Sequence, residues 1–445
     1  MYVRNAAKGG GSMREAMEFE KNIGIEVFLT DTQGLGGKLK ETAHDFIVDE
    51  ISIEPARFDA AKYVIARVRS VNWETNKLIR ELARNLRVSR NDIGFAGTKD
   101  KRAVTTQLMS FPTTVDKLME VDVPGISILD LYTSKYSMKI GRLVGNKFDI
   151  MLKQLQLEEA ETREIVEQVR GEILEVGGFP NFFGIQRFGS VRPLTHLVGK
   201  AIVNRDFKQA VEYYIGYPQE YEPKSLRESR EYFMRTKDYE GTFEIMSKYY
   251  TFERALLYHL IKKPEDYIGA LHQLPKNLLM MFTHAYQSYL FNKIISERIR
   301  RGIPLNDPIV GDMVIPSGKN GIPDHVRAFR VTEANLEKIR IRSKEFKSFV
   351  TAVLFGNDSD FAKGEMGEIE HTIIDAENVP PELFMIPDIP ICSSTGMRKE
   401  ILSRVDMMDT EIGSNWVRFI FKLFKGSYAT TLLREFIKSP IPSSY

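Results

Sequence analysis

The clearest pattern in the chain is a strict alternation of apolar and polar residues over several short runs. Such alternation is typical of a β-strand with one buried face, and it predicts strands over residues 46–51, 63–71 and 415–425. Residues 138–152 contain two further strand candidates. The pattern therefore predicts several β-strands, in the first part of the chain and near its end.

Longer runs carry apolar residues every three or four positions, which is the spacing of a helix with one buried face. Two of these runs, residues 158–176 and 275–301, are directly followed by Gly177 and Gly302, and a glycine at this position commonly ends a helix. Residues 426–437 predict a turn followed by a helix with Ser427 as its N-cap. The other predicted helical regions are 74–86, 158–176, 202–254, 275–301 and 327–349. Strands and helices follow one another irregularly, so we predict the α+β class rather than a doubly wound parallel sheet.

The length and composition narrow the architecture. At 445 residues the chain exceeds one ordinary core, which predicts two or three domains or a large domain with an insertion. No apolar run approaches the roughly 20 residues that span a bilayer, so we expect no membrane segment. Residues 1–12 contain Gly-Gly-Gly-Ser and no apolar core, and we interpret them as a vector-derived leader or a flexible tail.

Several kinds of chemistry are made improbable by the residues present. Cys392 is the single cysteine, so the chain has no internal disulfide and no thiolate zinc cluster, and it suits a reducing cytosol. The seven histidines include no pair at metal-ligand spacing, and we expect no metal. The net charge is only +2, so a nucleic-acid partner would need a local basic face.

Residues 94–107, Gly-Phe-Ala-Gly-Thr-Lys-Asp-Lys-Arg-Ala-Val-Thr-Thr-Gln, have unusual chemistry for a loop. Asp100 is flanked by Lys99, Lys101 and Arg102, and nearby positive charge favours the ionised carboxylate. One interpretation is a nucleophile or base that the cations bring to an anionic substrate. The other is a solvated turn whose charges pair locally, which is common on protein surfaces.

A second unusual segment covers residues 179–189, Phe-Pro-Asn-Phe-Phe-Gly-Ile-Gln-Arg-Phe-Gly. Its phenylalanines could stack on a base while Asn181, Gln186 and Arg187 hold the base edge and its phosphate. An aromatic turn in the core is the alternative. The residues alone leave both interpretations open.

Five segments together resemble the TruD family of RNA pseudouridine synthases, and most closely its archaeal branch: KETAHDFIVDEI, GFAGTKDKRAVTTQ, NFFGIQRFG, YQSYLFNKI and GSYATTLLREF. The resemblance implies a pseudouridine synthase catalytic domain with a mixed, mainly antiparallel sheet, interrupted by an α/β insertion (TRUD) domain. We expect the catalytic domain in residues 13–200 and 386–445 and the insertion in residues 201–385. The helix at 276–301 is a candidate for packing on the catalytic domain.

The resemblance also implies roles for individual residues. Asp100 matches the catalytic aspartate of the family, and Lys40 matches the basic residue beside it, with Lys38 as a second candidate for that role. Asn181 and Phe183 match the active-site asparagine and aromatic residue. The RNA-binding candidates are Lys99, Lys101, Arg102, Gln186 and Arg187.

The implied reaction breaks the bond between uracil and ribose, turns the base and rejoins it through carbon 5. It involves no redox step, metal or group carrier, so we expect no cofactor. Asp100 could attack the anomeric carbon or take a proton from the neighbouring sugar carbon, giving an acylal or a glycal intermediate. The implied substrate is tRNA with uridine 13 as the site, while uridine 35 of tyrosine tRNA stays open. We expect a cytoplasmic monomer.

Two functions from other classes remain as alternatives. A non-catalytic RNA-binding or RNA-folding protein could use the same basic and aromatic residues. A glycoside hydrolase also acts at an anomeric carbon, but it typically needs two carboxylates across the bond. The segment around Asp100 holds one carboxylate and the segment at 179–189 holds none, so the sequence shows no such pair.

Overall fold

A computed structural model describes residues 14–318 and 321–441. The leader predicted at residues 1–12 lies outside the described residues. The chain divides into two compact units. The sheet unit contains Thr32–Phe179 and Ser403–Ser439, and the helical unit contains Pro180–Leu402 together with residues 14–31 and 440–441. The insertion boundaries at 201 and 385 stay a prediction.

Strands and helices alternate irregularly along the chain. The strands are β1 Phe46–Ser52, β2 Tyr63–Val71, β3 Gly94–Phe95, β4 Val104–Phe111, β5 Ile126–Ser134, β6 Leu143–Lys153, β7 Gly178–Pro180, β8 Met313–Pro316, β9 Phe329–Arg330, β10 Ser348–Leu354, β11 Met397–Glu400, β12 Leu402–Ile412 and β13 Trp416–Phe424. The helices are α1 Glu18–Lys21, α2 Thr75–Leu86, α3 Val115–Met119, α4 Glu159–Val176, α5 Thr195–Val203, α6 Phe207–Ile215, α7 Lys224–Thr236, α8 Tyr239–Ile245, α9 Thr251–Lys262, α10 Tyr267–Leu271, α11 Lys276–Arg300, α12 Leu336–Lys344, α13 Gly364–Asp375 and α14 Ala429–Ile437.

The sheet unit is built on one mixed sheet. Its strand order is β5-β2-β4-β1-β6-β13-β12-β7, and β3 pairs with β4. The central strand β1 runs parallel to β4, with Ile47 opposite Val104, and antiparallel to β6. The pairs β2–β4, β2–β5, β6–β13 and β12–β13 are antiparallel. This mixed, mainly antiparallel sheet with helices confirms the predicted α+β class.

Two apolar cores hold the helices of this unit to the sheet. Helices α4 and α14 bury their apolar faces against β1, β6 and β13. Helix α2 and the short helix α3 form a second core with β2 and β4. Apolar burial of this kind is the main stabilising contribution to the fold. It fixes the strands whose leading ends carry the candidate site.

The residues at the helix ends explain where the helices begin and end. Helix α2 begins after Glu74, whose carboxylate accepts hydrogen bonds from the backbone N–H groups of Asn76 and Lys77 at 2.9 and 3.1 Å. Helix α4 ends at Gly177, which adopts φ +80°. The prediction of Ser427 as an N-cap was wrong. Tyr428 occupies that position, and the Ser427 hydroxyl instead contacts Ser403 Oγ at 2.5 Å.

The helical unit confirms a series of helices in 202–254, separated by short connections, and a long helix at 276–300. Gly199 on α5 lies so close to α11 that a Cβ there would overlap the carbonyl oxygen of Phe282. Strands β11, β10, β8 and β9 form a small antiparallel sheet in this order. The helix predicted over 327–349 was too long, since α12 is flanked there by β9 and β10. Within the described ranges, no helix is long and apolar enough to cross a membrane.

Candidate active site

The parallel pairing of β1 and β4 brings the two central candidates together. Lys40 lies shortly before β1, and Asp100 lies shortly before β4. The leading ends of parallel neighbours share one edge of a sheet. Lys40 Nζ donates to Asp100 Oδ2 at 3.1 Å, although the two residues are 60 positions apart. The pairing expected from the sequence resemblance is therefore present in the sheet unit.

The Phe46 ring positions the Lys40 ammonium. Its Nζ lies 4.0 Å from the centroid of the Phe46 ring, a cation–π contact. The Lys40 side chain is 19% exposed, whereas that of Asp100 is 55% exposed. Lys38 makes a backbone pairing with Lys153 instead, through its N–H and the Lys153 carbonyl at 2.8 Å. The structure thus pairs Asp100 with Lys40, and the carboxylate stays open to a ligand.

The segment between Lys40 and β1 is fixed by Asp45. Its Oδ2 accepts from the backbone N–H and the hydroxyl of Thr42 at 2.7 and 3.0 Å, and its Oδ1 lies 2.7 Å from Lys153 Nζ. Burial by itself raises the pKa of Asp45, but Lys153 and Thr42 together hold it below its ordinary value. The ionised carboxylate therefore stabilises the turn that leads from Lys40 into β1.

Lys99 occupies a different environment from the one expected for an RNA-binding cation. Its Nζ lies 2.5 Å from Glu50 Oε2, and the two side chains are 4% and 0% exposed. Glu50 Oε1 also accepts from the Leu108 N–H at 3.3 Å and the Ser52 hydroxyl at 2.5 Å. The Lys99 N–H donates to the Thr75 hydroxyl at 2.8 Å. This buried ion pair leaves Lys99 little access to a phosphate, and it anchors the loop that carries Asp100.

The other two cations of this loop face solvent. Lys101 and Arg102 are both exposed. One Arg102 N–H group donates to the Glu41 carbonyl at 3.0 Å, which orients the guanidinium near the Lys40 segment. Both residues therefore remain available as RNA-binding candidates.

Most of the second unusual segment lies in the helical unit, where residues 181–189 directly follow β7. Phe183 is anchored through its backbone: its N–H donates to Asn292 Oδ1 at 2.9 Å, and its carbonyl accepts from Asn292 Nδ2 at 3.0 Å. Its ring meets Phe291 edge to face at 5.5 Å between centroids, and the Arg187 guanidinium lies 5.5 Å from the ring. The residue is 8% exposed. Phe183 thus has much of the packing of a core aromatic.

The polar members of this segment differ in exposure. Gln186 is exposed, while Arg187 is partly buried and donates through Nε to the Ser288 hydroxyl at 3.2 Å. Asn181 is buried, and its Nδ2 donates to the carbonyl and to Oε1 of Glu400, both at 3.1 Å. Lys399 joins these residues into one cluster of the helical unit, because its Nζ lies 5.1 Å from the Phe183 ring and 3.7 Å from Glu400 Oε1.

Sequence reasoning missed three residues of this cluster. Lys399 and Glu400 lie at the end of β11, with Lys399 Nζ 3.7 Å from Glu400 Oε1. His325 Nε2 lies 2.7 Å from Glu400 Oε2. For Lys399 and Glu400, the sequence feature that could have indicated a buried polar cluster is the run of charged residues at 398–400. Consecutive charged residues in a strand place charge on both of its faces.

The charged groups of the cluster affect one another's pKa. Burial lowers the pKa of Lys399, against the opposing effect of the Glu400 carboxylate. Burial alone would raise the pKa of Glu400, but Lys399 and His325 hold it below its ordinary value. Glu400 is therefore a buried carboxylate that stays ionised. Over the described parts of the chain, no group of three or more histidine, cysteine or acidic side chains is placed to hold a metal ion.

Comparison with known proteins gives a consistent family. The family model described as tRNA pseudouridine synthase D (TruD) matches residues 22–436. The probable tRNA pseudouridine synthase D of Methanococcoides burtonii is 43% identical, covering 96% of this chain and 98% of that protein. The protein of the same name from Methanosarcina barkeri is 40% identical, covering 95% of this chain and 98% of that protein.

A solved structure agrees with these relatives. The crystal structure of the putative tRNA pseudouridine synthase D (TruD) from Methanosarcina mazei superposes with a TM-score of 0.87 at 40% identity. The match covers 97% of this chain and 100% of that one. The resemblance inferred from the five segments is thus confirmed, and the chain belongs to the tRNA pseudouridine synthase D (TruD) family.

Proposed function

We propose that this chain isomerises uridine to pseudouridine in tRNA, at position 13, with Asp100 as the catalytic carboxylate. The observation that carries the role of Asp100 is its pairing with Lys40 at 3.1 Å beside an open face of the loop. A single exposed carboxylate with one oxygen on a lysine suits attack at a sugar carbon. Family membership supports the reaction class.

The two oxygens of Asp100 have different surroundings. Oδ2 accepts from Lys40, while Oδ1 makes no hydrogen bond within the described residues. In the acylal route, the free oxygen bonds to C1′ as the bond from C1′ to N1 breaks and its electron pair passes to uracil. In the glycal route, the same oxygen takes the C2′ proton as that bond breaks.

Both routes end in the same way. The base turns so that C5 faces the sugar, C5 bonds to C1′, and the proton on C5 is lost while N1 gains one. In the acylal route the carboxylate leaves C1′ as the new bond forms, and in the glycal route the C2′ proton returns. The sum is an isomerisation with no other reactant. Lys40 stabilises the negative charge on Asp100 before and after the reaction.

Binding of the RNA is assigned to other residues. Asn181 and Phe183 hold the uracil, and Lys101, Arg102, Gln186 and Arg187 contact the RNA around it. The target uridine must leave its stack, which costs a few kcal/mol and is offset by stacking and phosphate contacts. We omit Lys99 from this set because its side chain is buried against Glu50. We further propose that the chain acts as a monomer in the cytoplasm.

The test compares the wild-type chain with Asp100→Asn on unmodified tRNA. The wild type should place pseudouridine at position 13, and Asp100→Asn should form none while its tRNA Kd and melting temperature stay close to wild type. Asp122→Asn is the matched control, because Asp122 is an exposed aspartate of the sheet unit outside the site. Full turnover by Asp100→Asn would refute the catalytic assignment. Tight tRNA binding with no pseudouridine from the wild type would favour a non-catalytic RNA-binding protein.

A further inference from the structure

Among the buried polar atoms of the helical unit that have no hydrogen-bond partner in the part of the chain that the structure describes, two lie in the cluster around Glu400. They are Asn181 Oδ1 and Lys399 Nζ. Buried polar atoms in folded proteins are nearly always hydrogen-bonded, so such a pair calls for an explanation. Both atoms belong to side chains that contact the same carboxylate oxygen, Glu400 Oε1. The two side chains therefore meet at Glu400.

The orientation of the Asn181 amide follows from its surroundings. One end of the amide lies 3.1 Å from two acceptors, the carbonyl and Oε1 of Glu400. Only the NH₂ end can donate to both, so the amide cannot be turned over without losing two hydrogen bonds. Oδ1 is consequently fixed as an acceptor pointing away from Glu400.

Glu400 connects the cluster through both of its oxygens. Oε1 accepts from Asn181 and pairs with Lys399, while Oε2 meets His325 at 2.7 Å. The Lys399 ammonium lies 5.1 Å from the Phe183 ring and 5.3 Å from the Phe291 ring. An ammonium has three N–H donors, and none of them makes a hydrogen bond in the described structure. The cluster therefore contains an unpaired acceptor, Asn181 Oδ1, and an unpaired donor, Lys399 Nζ, of which the donor lies beside the Phe183 ring.

This pattern matches one nucleobase edge. Uracil carries a donor, N3–H, between two carbonyl acceptors, whereas cytosine carries an acceptor at N3 beside an amino donor. We propose, resting on the function proposed above, that Lys399 and Glu400 set the specificity for uracil. Glu400 holds Asn181 so that Oδ1 accepts from uracil N3–H, and Lys399 donates to a neighbouring uracil carbonyl oxygen. Cytosine would bring an acceptor, N3, to Oδ1, and where the carbonyl that meets Lys399 is O4 it would also bring an amino donor to the ammonium, leaving buried polar groups unpaired.

The role of Glu400 is tested by exchanging the carboxylate of Glu400 and the amide of Asn181 between the two positions. Asn181→Asp places a second carboxylate against Glu400, and kcat/KM should fall about 100-fold. Asn181→Asp combined with Glu400→Gln restores a donor facing an acceptor and keeps the total charge, so it should recover at least about 10-fold of that loss. The tRNA Kd should stay within about twofold throughout, because most affinity comes from phosphate contacts. A double variant no better than Asn181→Asp would overturn the proposal.

The role of Lys399 is tested by coupling an enzyme change to a substrate change. Lys399→Met keeps a long unbranched side chain, one atom shorter than lysine, and removes the donor. Substrates are tRNAs with uridine, 2-thiouridine or 4-thiouridine at the target position, since sulfur accepts hydrogen bonds weakly. The wild type should prefer uridine over one of the two thio analogues by about 10-fold in kcat/KM, as expected for one lost charged hydrogen bond. In Lys399→Met this preference should largely disappear.

The controls separate this inference from general damage and from the proposed function. Lys338→Met, an exposed lysine of the same unit, should keep the wild-type preference. Melting temperatures identify variants that lose the fold, and a purely structural Lys399 would change them without changing the preference. An unchanged preference in a folded Lys399→Met chain would overturn the inference alone. Absence of pseudouridine from the wild type would instead overturn the proposed function.

Discussion

Lys99→Met should destabilise the sheet unit strongly without weakening RNA binding. The Lys99 and Glu50 side chains form an ion pair at 2.5 Å and are 4% and 0% exposed. Removing the lysine leaves a buried carboxylate without its countercharge. Such single removals from buried pairs cost about 3–5 kcal/mol. We expect the lower end, because Glu50 keeps its hydrogen bonds from Leu108 N–H and the Ser52 hydroxyl.

The loss converts into a measurable shift of the melting temperature. For a cooperative unit of this size, 1 kcal/mol corresponds to about 2–4 °C, so a loss of about 3 kcal/mol predicts a fall of roughly 6–12 °C. Differential scanning calorimetry measures it directly. Glu50→Gln combined with Lys99→Met should recover most of the stability, since a neutral amide still accepts from Leu108 N–H and no longer needs a countercharge.

The salt dependence of tRNA binding distinguishes the buried Lys99 from the exposed Lys101. Lys101→Met removes an exposed ammonium, so it should leave the melting temperature unchanged. If Lys101 contacts a phosphate, this variant should reduce the slope of log Kd against log salt by roughly 0.7–0.9. Lys99→Met should leave that slope unchanged. A fall of less than about 2 °C for Lys99→Met, or a double variant as unstable as the single one, would refute the reasoning.

Two further predictions concern residues beside the site. Asp45→Asn should lower stability at pH 7 by about 1–2 kcal/mol, because the ion pair with Lys153 requires the charge of Asp45 and a neutral amide oxygen accepts the two Thr42 hydrogen bonds less strongly. Since the native pKa of Asp45 is lowered, this contribution is complete well above the ordinary value of 3.8 and is lost as the pH falls below it, so urea unfolding should show the gap between variant and wild type narrowing there. Phe183→Leu keeps an apolar side chain in the buried site and should lower turnover about 10-fold if the ring stacks on uracil. Unchanged turnover with a reduced melting temperature would assign Phe183 to the core alone.

The local elements of the fold were accessible from the sequence because each depends on one stretch of residues. Periodicity located β1, β2, β13, α2, α4 and α11 close to their observed bounds. Strand β4 escaped this reasoning because all eight of its residues are buried, including Thr105, Thr106 and Gln107, so no alternation exists. The stretch taken as one loop at 94–107 therefore ends inside the sheet.

Only part of the candidate site could be predicted from the sequence, because burial and long-range contacts are not visible in a local pattern. The motif around Asp100 identified the carboxylate and its basic setting, but charge alone could not separate Lys99, which is buried, from Lys101, which is exposed. The link between Asn181 and Glu400 joins residues 219 positions apart, and no local pattern records it. Such contacts form only when the fold brings distant segments of the chain together, so no single stretch of sequence encodes them.

The antiparallel pairing of β6 with β13 affects how the chain can fold during its synthesis. Trp416 lies opposite Lys153, so the two strands are separated by about 260 residues. At roughly 5–20 residues per second, the ribosome needs about 13–50 s to produce the second strand after the first. During that interval β6 can pair with β1, but its other edge has no native partner. An unpaired strand edge favours association with other chains, so the late return of β13 makes nascent β6 the strand of the sheet most exposed to such association during synthesis.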